Sequence, residues 1–153
     1  MTLQTSARGA TVLPALSVTQ PWATLIAQGH KRYETRSWRT SYRGRLAIHA
    51  ARRFPPEAQD FAAEERAIGR LPERIPFGAL VATARLVAVH RTEDIALTVN
   101  GLERLLGDFG PGRYAWELDE VTVLAEPVPC RGSLGLWALP PPVAALLIEG
   151  PRA

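Results

Sequence analysis

The apolar residues of this chain occur in short runs that turn-forming residues interrupt again and again. Its 153 residues include 13 prolines and 12 glycines. Apolar runs that are kept this short are more typical of β-strands than of long helices. Strands and helices alternate irregularly, which argues against a doubly wound parallel sheet. The sequence therefore predicts an α+β fold, namely a small and mostly antiparallel β-barrel with flanking helices.

The predicted elements are six or seven strands and three helices in one domain, which a chain of this length can form without further support. Strands are expected at 13–18, 31–38, 45–51, 78–90, 113–118, 121–127 and 134–139. Helices are expected at 22–28, 55–68 and 92–106, where Asn100 and Gly101 are able to interrupt the last one. The domain is predicted to extend over 11–142, between a flexible N-terminal tail at 1–10 and a C-terminal tail at 143–153.

Several function classes are disfavoured by composition. Cys130 is the single cysteine, so an internal disulfide and a cysteine zinc site are excluded. The three histidines lack the spacing of a helical metal site, and neither a metal nor a cofactor is expected. No long apolar run marks a signal peptide or a membrane span, so a cytoplasmic location is expected. The sequence leaves the oligomeric state open.

Basic residues are concentrated in one part of the chain. The segment 30–53 contains eight lysine and arginine residues but a single acid, Glu34, which gives it a net charge of +7 against −4 for the remainder. Such asymmetry is typical of a surface that faces an anion, and phosphate suits arginine well. Solvated arginines on a strand-rich surface are the alternative explanation.

Lys31 is the one lysine among 18 basic residues. Arginine keeps its proton in proteins, whereas lysine is a compact donor whose pKa moves with its surroundings. Glu34 and Arg36 follow closely, so a point cation, a carboxylate and a fork-shaped donor lie within six residues. This combination suits a nucleobase edge together with a phosphate. The charged and the neutral form of Lys31 are both compatible with the sequence.

The pattern Gly29-x-Lys31-x-x-Glu34-x-Arg36 resembles the G-x-K-x-x-E-x-R signature of ASCH domains, which are relatives of the PUA domains of RNA-modifying proteins. The flanking segments agree with the same family: LSV-x-QPW at 16–22, RG-x-LAIHA at 43–50, YAW at 114–116 and PVP-x-RG at 127–132. The resemblance covers roughly residues 13–139.

This resemblance implies a small PUA-like β-barrel whose signature residues line a cleft, and a role in RNA binding or in RNA-modifying systems. A minority of members resemble enzymes. One bacterial branch is similar to an amidohydrolase that removes an acyl group from cytidine with a lysine, a threonine and a glutamate. Its lysine corresponds to Lys31, but its threonine falls at Glu34, which puts the same route in doubt. Other members resemble ribonucleases.

The expected partner is therefore RNA or a nucleoside, including a modified one, held in a basic cleft. If the protein is instead a hydrolase of acylated cytidine or of RNA, Lys31 and Glu34 are the expected catalytic residues. A domain that binds an acidic protein is a third hypothesis. Core packing is the alternative role for the aromatic candidates, and an internal salt bridge is the alternative for the charged ones. The candidate binding residues are Ser17, Gln20, Trp22, Lys31, Glu34, Arg36, Trp38, Arg43 and His49.

Overall fold

The computed structural model describes residues 12–149, and its centre is one mixed sheet of six strands. The strands are β1 (Pro14–Val18), β2 (Tyr33–Arg36), β3 (Gly44–Ala50), β4 (Ala79–Arg91), β5 (Tyr114–Pro129) and β6 (Leu136–Ala138). Their order is β2-β5-β4-β3-β1-β6, and the sheet forms a half-barrel with β2 and β6 at its edges. This confirms the predicted α+β class, with an open half-barrel in place of a closed barrel.

Four of the five strand pairs are antiparallel, and the exception is the parallel pair of β1 with β3. In that pair Ser17 lies opposite His49. Because side chains of a strand alternate between the two faces, paired residues project to the same side of the sheet. The parallel register therefore brings two polar side chains together that are far apart in sequence.

Five helices flank the sheet in the described part of the chain: α1 (Trp22–Ala27), α2 (Pro56–Ala67), α3 (Thr92–Ile95), α4 (Gly101–Leu106) and α5 (Pro141–Glu149). The concave side of the sheet is filled by α1, whose Ala23 and Ile26 join the main core around Trp116. A second cluster, with Leu25 and Leu106 among its members, ties α1 to α2 and α4. That packing fixes the C-terminal end of α4 next to the segment that leads into β2.

The predicted break in the 92–106 helix is confirmed, since α3 and α4 are separate. The Asn100 side chain caps α4, because its Oδ1 accepts a hydrogen bond of 2.8 Å from the backbone N–H of Glu103. Elsewhere two predicted strands, 113–118 and 121–127, are one continuous strand, β5. The Asp119–Glu120 pair forms a bulge there instead of a turn, with Glu120 at φ 47° and a shift in register against β4.

The predicted C-terminal tail is wrong over residues 143–149. The predicted domain border at 142 falls on a run of prolines, 140–142, but proline is well tolerated in the first turn of a helix. The apolar residues after them form α5, and its buried Ala144 and Leu147 pack with Leu13 and Leu139. The predicted N-terminal tail at 1–10 lies outside the described residues.

Candidate functional site

The signature residues line a cleft of about 640 Å³, called the first cleft below. It is bounded by the β1–α1 loop, by β2, by the start of α2 and by the end of α4. Its floor is formed by Lys31, Glu34 and Arg36, and its walls include Trp22 and Trp38. The predicted binding residues that line this one cleft are Ser17, Trp22, Lys31, Glu34, Arg36 and Trp38.

Lys31 is enclosed, with an exposed fraction of 1%. Its Nζ donates a hydrogen bond of 3.1 Å to the carbonyl oxygen of Leu106, at the end of α4. Glu34 Oε1 is 3.8 Å from Nζ, which is an ion-pair distance but too long for a hydrogen bond. An ammonium group has three N–H donors, so donors remain for a ligand. Burial lowers the pKa of Lys31 below its ordinary value, although the Glu34 and Glu103 carboxylates oppose this.

Lysine fits here for a spatial reason as well. A Cβ placed on Gly107 would lie 3.3 Å from Lys31 Nζ, so the ammonium group approaches the backbone of the α4 C-terminus closely. A planar guanidinium group is larger than an ammonium group and needs more room. The single lysine of the chain thus occupies a site whose size suits a point cation.

Glu34 and Arg36 form an ion pair in the first cleft. Arg36 Nε lies 2.9 Å from Glu34 Oε2, but its N–H is not aligned for a hydrogen bond. The guanidinium group is held from its other end, where a terminal nitrogen donates a hydrogen bond of 2.6 Å to the Ser17 carbonyl oxygen. The expected internal salt bridge is therefore present, and Glu34 keeps acceptor sites that a ligand can use.

The predicted strand at 31–38 would place Lys31 and Glu34 on opposite faces, because strand side chains alternate, but it is wrong at its start. Strand β2 begins only at Tyr33. Lys31 still belongs to the turn that ends α1, since its backbone N–H donates to the Leu25 carbonyl oxygen at 3.1 Å. Outside the strand the alternation rule does not apply, so both side chains enter the same cleft.

Two tryptophans border the cleft, and each is half-buried. Trp22 stacks on Phe61, with ring centroids 5.3 Å apart and planes 11° apart. Trp38 meets the buried Trp116 edge-on at 4.8 Å. Both indoles are thus fixed by aromatic neighbours, and each leaves part of its surface free for contact with a flat ligand.

The predicted basic character of the first cleft is not found. Its lining has three basic residues and three acidic ones: Lys31, Arg36, Arg113, Glu34, Glu57 and Asp108. The basic segment 30–53 instead divides among several places, and Arg39 and Arg43 line a separate depression beside Tyr114. The first cleft is consequently polar and balanced in charge.

Three predicted binding residues do not line the first cleft: Gln20, Arg43 and His49. Gln20 is fully buried, and its amide bonds Thr24 and the Pro76 carbonyl oxygen at 2.7–2.9 Å. Its role is therefore to anchor the β1–α1 loop. Arg43 is exposed on the β2–β3 loop, where it donates to the carbonyl oxygens of Thr40 and Tyr42.

Ser17 and His49 meet at a second cleft of about 800 Å³. Ser17 Oγ is 3.0 Å from His49 Nδ1, and His49 Nε2 is 2.8 Å from the Cys130 carbonyl oxygen. The serine hydroxyl also accepts a hydrogen bond from Trp137 Nε1 at 3.2 Å. His49 has an exposed fraction of 2%, so it is a hydrogen-bonded core histidine at the base of this cleft. Ser17 borders both clefts.

Sequence reasoning missed the contribution of residues 105–108 to the first cleft. The Leu106 carbonyl oxygen holds Lys31, and the backbone N–H of Asp108 donates to Thr35 Oγ1 at 2.9 Å. These partners are more than 70 positions apart in sequence, and no local pattern signals such a contact. Among the described residues, no group of three or more His, Cys, Asp or Glu is placed to hold a metal ion. None of the helices within residues 12–149 has the length and apolar character needed to cross a membrane.

Comparisons with known proteins agree with this geometry. The sequence matches the model of the ASCH domain family over residues 16–126. The chain belongs to the ASCH domain family. Crystal structures of an ASCH protein from Zymomonas mobilis superpose with TM-scores of 0.59 for the native form and 0.56 and 0.55 for two mutants, at 13–15% identity. They cover 89% of this chain and 93–96% of theirs, which shows that the ASCH fold is shared.

Curated relatives include activating signal cointegrator 1 of Homo sapiens and of Mus musculus. Each is 40% identical over 78 residues, which amount to 47% of this chain and 13% of the relative. The chain thus spans only a small part of the length of these relatives. The family predicted from the signature is confirmed.

Proposed function

We propose that the first cleft binds a nucleobase, presented by RNA or by a free nucleoside, including a modified one. The observation that carries this proposal is the buried Lys31 beside the Glu34–Arg36 ion pair. Lys31 offers unused N–H donors and Glu34 offers unused acceptor sites within 3.8 Å of each other. A base edge that has a carbonyl or ring nitrogen next to an amino group, as in cytosine, matches this donor–acceptor pair.

The charge and the walls of the cleft support a base more than a phosphate. Its lining charges balance, so an anion gains little net attraction there. Trp22 and Trp38 are held in place by ring contacts and supply flat apolar surface. Stacking of one base on such a surface is worth about 1–3 kcal/mol. A neutral, planar and polar-edged ligand is the kind that uses all of these features.

The test is the affinity of cytidine, uridine and a short single-stranded RNA at low salt, followed by tryptophan fluorescence. Replacing Lys31 with Met removes a charge-assisted hydrogen bond of about 1.5–3 kcal/mol, which corresponds to a loss of about 10- to 100-fold in affinity. Glu34→Gln should weaken cytidine, which has an amino donor, more than uridine. The matched control is Arg74→Ser, an exposed residue outside both clefts. If no nucleoside and no RNA binds the wild-type protein, the proposal is wrong.

A hydrolase is the second candidate, and the lowered pKa of Lys31 is the observation that favours it. Burial moves the amine toward the neutral form that a base or nucleophile requires. In this version Lys31 takes a proton from water while the water oxygen bonds to the acyl carbon of an acylated cytidine. The bond from that carbon to the cytosine amino nitrogen then breaks as Glu34 passes a proton to the nitrogen, which yields cytidine and a free carboxylic acid. Mass spectrometry of acylated cytidine and short RNA, incubated with wild type and Lys31→Ala, decides the matter. Product from the wild type alone supports the enzyme, whereas equal product from both proteins rules out this mechanism.

A further inference from the structure

The second cleft, unlike the first, has a strongly one-sided charge. Its lining contains Arg52, Arg53 and Arg131 and no acidic residue. All three arginines are exposed, and none has an acidic side chain within 4.0 Å among residues 12–148. Like charges that face one concave surface repel one another unless an anion joins them. Guanidinium groups fit phosphate oxygens through two parallel hydrogen bonds, which makes phosphate the favoured anion.

The backbone of this cleft is shaped around its side chains. A Cβ on Gly78 would lie 3.1 Å from both Nε and a terminal nitrogen of Arg52, so this guanidinium group rests directly on glycine backbone. Gly132, which also lines this cleft, lies against His49 and Ser17, where a Cβ would come within 2.5–3.0 Å of both side chains. Arg131 is next to that glycine in sequence. The Arg52 guanidinium group is thus presented by closely packed backbone.

The two clefts meet at Ser17. Its carbonyl oxygen accepts the hydrogen bond from Arg36 in the first cleft, while its hydroxyl contacts His49 in the second. Ser17 is thus the residue that the linings of both clefts share. We infer that the second cleft holds the backbone phosphates of the single-stranded RNA whose base occupies the first cleft. This inference rests on the proposed function, and it assigns RNA strands, in preference to free nucleosides, as the ligand class.

The different charges of the two neighbouring clefts favour an RNA strand over an acidic protein as the ligand. The balanced cleft suits a base, the cationic cleft suits phosphates, and a polynucleotide carries both groups at a fixed spacing. Single-stranded binding sites on domains of this size commonly take about 4–16 nucleotides. An acidic peptide would use the second cleft alone and would gain nothing from the first.

The experiment compares cytidine with oligocytidylates of increasing length up to about 16 nucleotides, at several salt concentrations. The test variant is Arg52→Ser/Arg53→Ser/Arg131→Ser. The control is Arg66→Ser/Arg74→Ser/Arg85→Ser, which removes the same charge at positions that line neither cleft. Thermal unfolding of both variants checks their folding, and the corresponding triple lysine variant at the second cleft restores the charge.

Cytidine should bind wild type and both variants equally. Affinity of the wild type and of the control should rise with oligonucleotide length, whereas the test variant should lose most of this gain. Each neutralised phosphate contributes about 0.7 to the slope of log affinity against log salt for single strands, so the slope should fall by about 2 in the test variant. The lysine variant should recover the slope.

Two results distinguish a failure of this inference from a failure of the proposed function. If cytidine binds normally and the test variant keeps the full length gain and slope, the second cleft is not a phosphate site and the inference is overturned while the proposed function stands. If cytidine does not bind the wild type, the base site fails, and the arginine dependence of the longer strands still tests the second cleft. Equal affinity of polyglutamate and RNA for the wild type would also overturn the inference.

Discussion

Gly132 packs so closely on His49 that the structure predicts a measurable cost for a single added methyl group. The Cβ of alanine at this position would lie 2.5 Å from His49 Cε1 and 2.9 Å from Nδ1, well inside ordinary contact distances. The ring has little freedom to move aside, because Cys130 and Ser17 hold its two nitrogens at 2.8 and 3.0 Å. Gly132 does not have a left-handed φ, so the cost arises from this contact and not from backbone strain.

Overpacking of a tightly filled site typically costs about 1–3 kcal/mol, so Gly132→Ala should lower the free energy of unfolding by that amount. For a chain of this size the melting temperature should fall by about 2–4 °C per kcal/mol. Urea denaturation provides the measurement. The matched control is Gly101→Ala, where nothing lies within 4 Å of the new Cβ, and no loss of stability is expected there.

A double-mutant cycle makes the prediction refutable. His49→Ala is itself destabilising, since it leaves a cavity and an unpaired carbonyl oxygen. In that background the new methyl group at Gly132 has room, and its cost should fall below about 0.5 kcal/mol, the usual error of additivity. If Gly132→Ala costs nothing, or costs the same in both backgrounds, the close contact between this glycine and the histidine ring does not limit stability.

Three further predictions concern the supports of the first cleft. The stability difference between wild type and Lys31→Met should change with pH, because the lowered pKa of Lys31 means that the unfolded chain binds this proton more tightly than the folded chain. The wild type should therefore gain stability relative to the variant as the pH rises from the lowered pKa to the ordinary value of 10.5. A difference that stays constant with pH in urea titrations would contradict this. Arg70→Met removes the ion-pair partner, at 2.7 Å, of the Glu65 carboxylate, which has an exposed fraction of 2%. Because Arg70 is partly exposed, the free energy of unfolding should fall by only about 2 kcal/mol, and an unchanged midpoint in urea denaturation would refute this. Asn100→Ala removes the cap of α4 and should cost about 1 kcal/mol by the same assay, with no cost if the cap is dispensable.

Local sequence patterns were sufficient for the parts of this protein that depend on neighbouring residues. The signature placed Lys31, Glu34 and Arg36 together because all three lie within six residues. The helix break followed from Asn100 and Gly101, a pair of residues that favours turns. Turn residues and short apolar runs indicated the α+β class, which depends on the number and length of segments more than on how they pair.

Contacts between distant segments were not predictable in this way. The pairing of strands depends on the whole sheet. The local sequence around Ser17 therefore does not predict that this residue lies opposite His49 in a parallel strand pair. The same is true of Gln20, whose polarity suggested a ligand site although its amide is used by Thr24 and Pro76. The net charge of a segment likewise does not predict where its side chains point. The arginines of 30–53 lie on different surfaces of the protein, although the segment as a whole is strongly basic.

The adjacency of the first and last strands has a consequence for how such a domain can be carried in longer proteins. Pro14 in β1 pairs with Ala138 in β6, and the Leu139 N–H donates to the Leu13 carbonyl oxygen at 3.0 Å. The start of β1 and the end of β6 are thus neighbours at one edge of the sheet, and α5, which follows β6, packs back on Leu13. A domain with this arrangement can be inserted at one position of a longer chain, because both of its ends can be joined to flanking segments that lie close together. Circular permutation at that edge is open to protein engineers for the same reason.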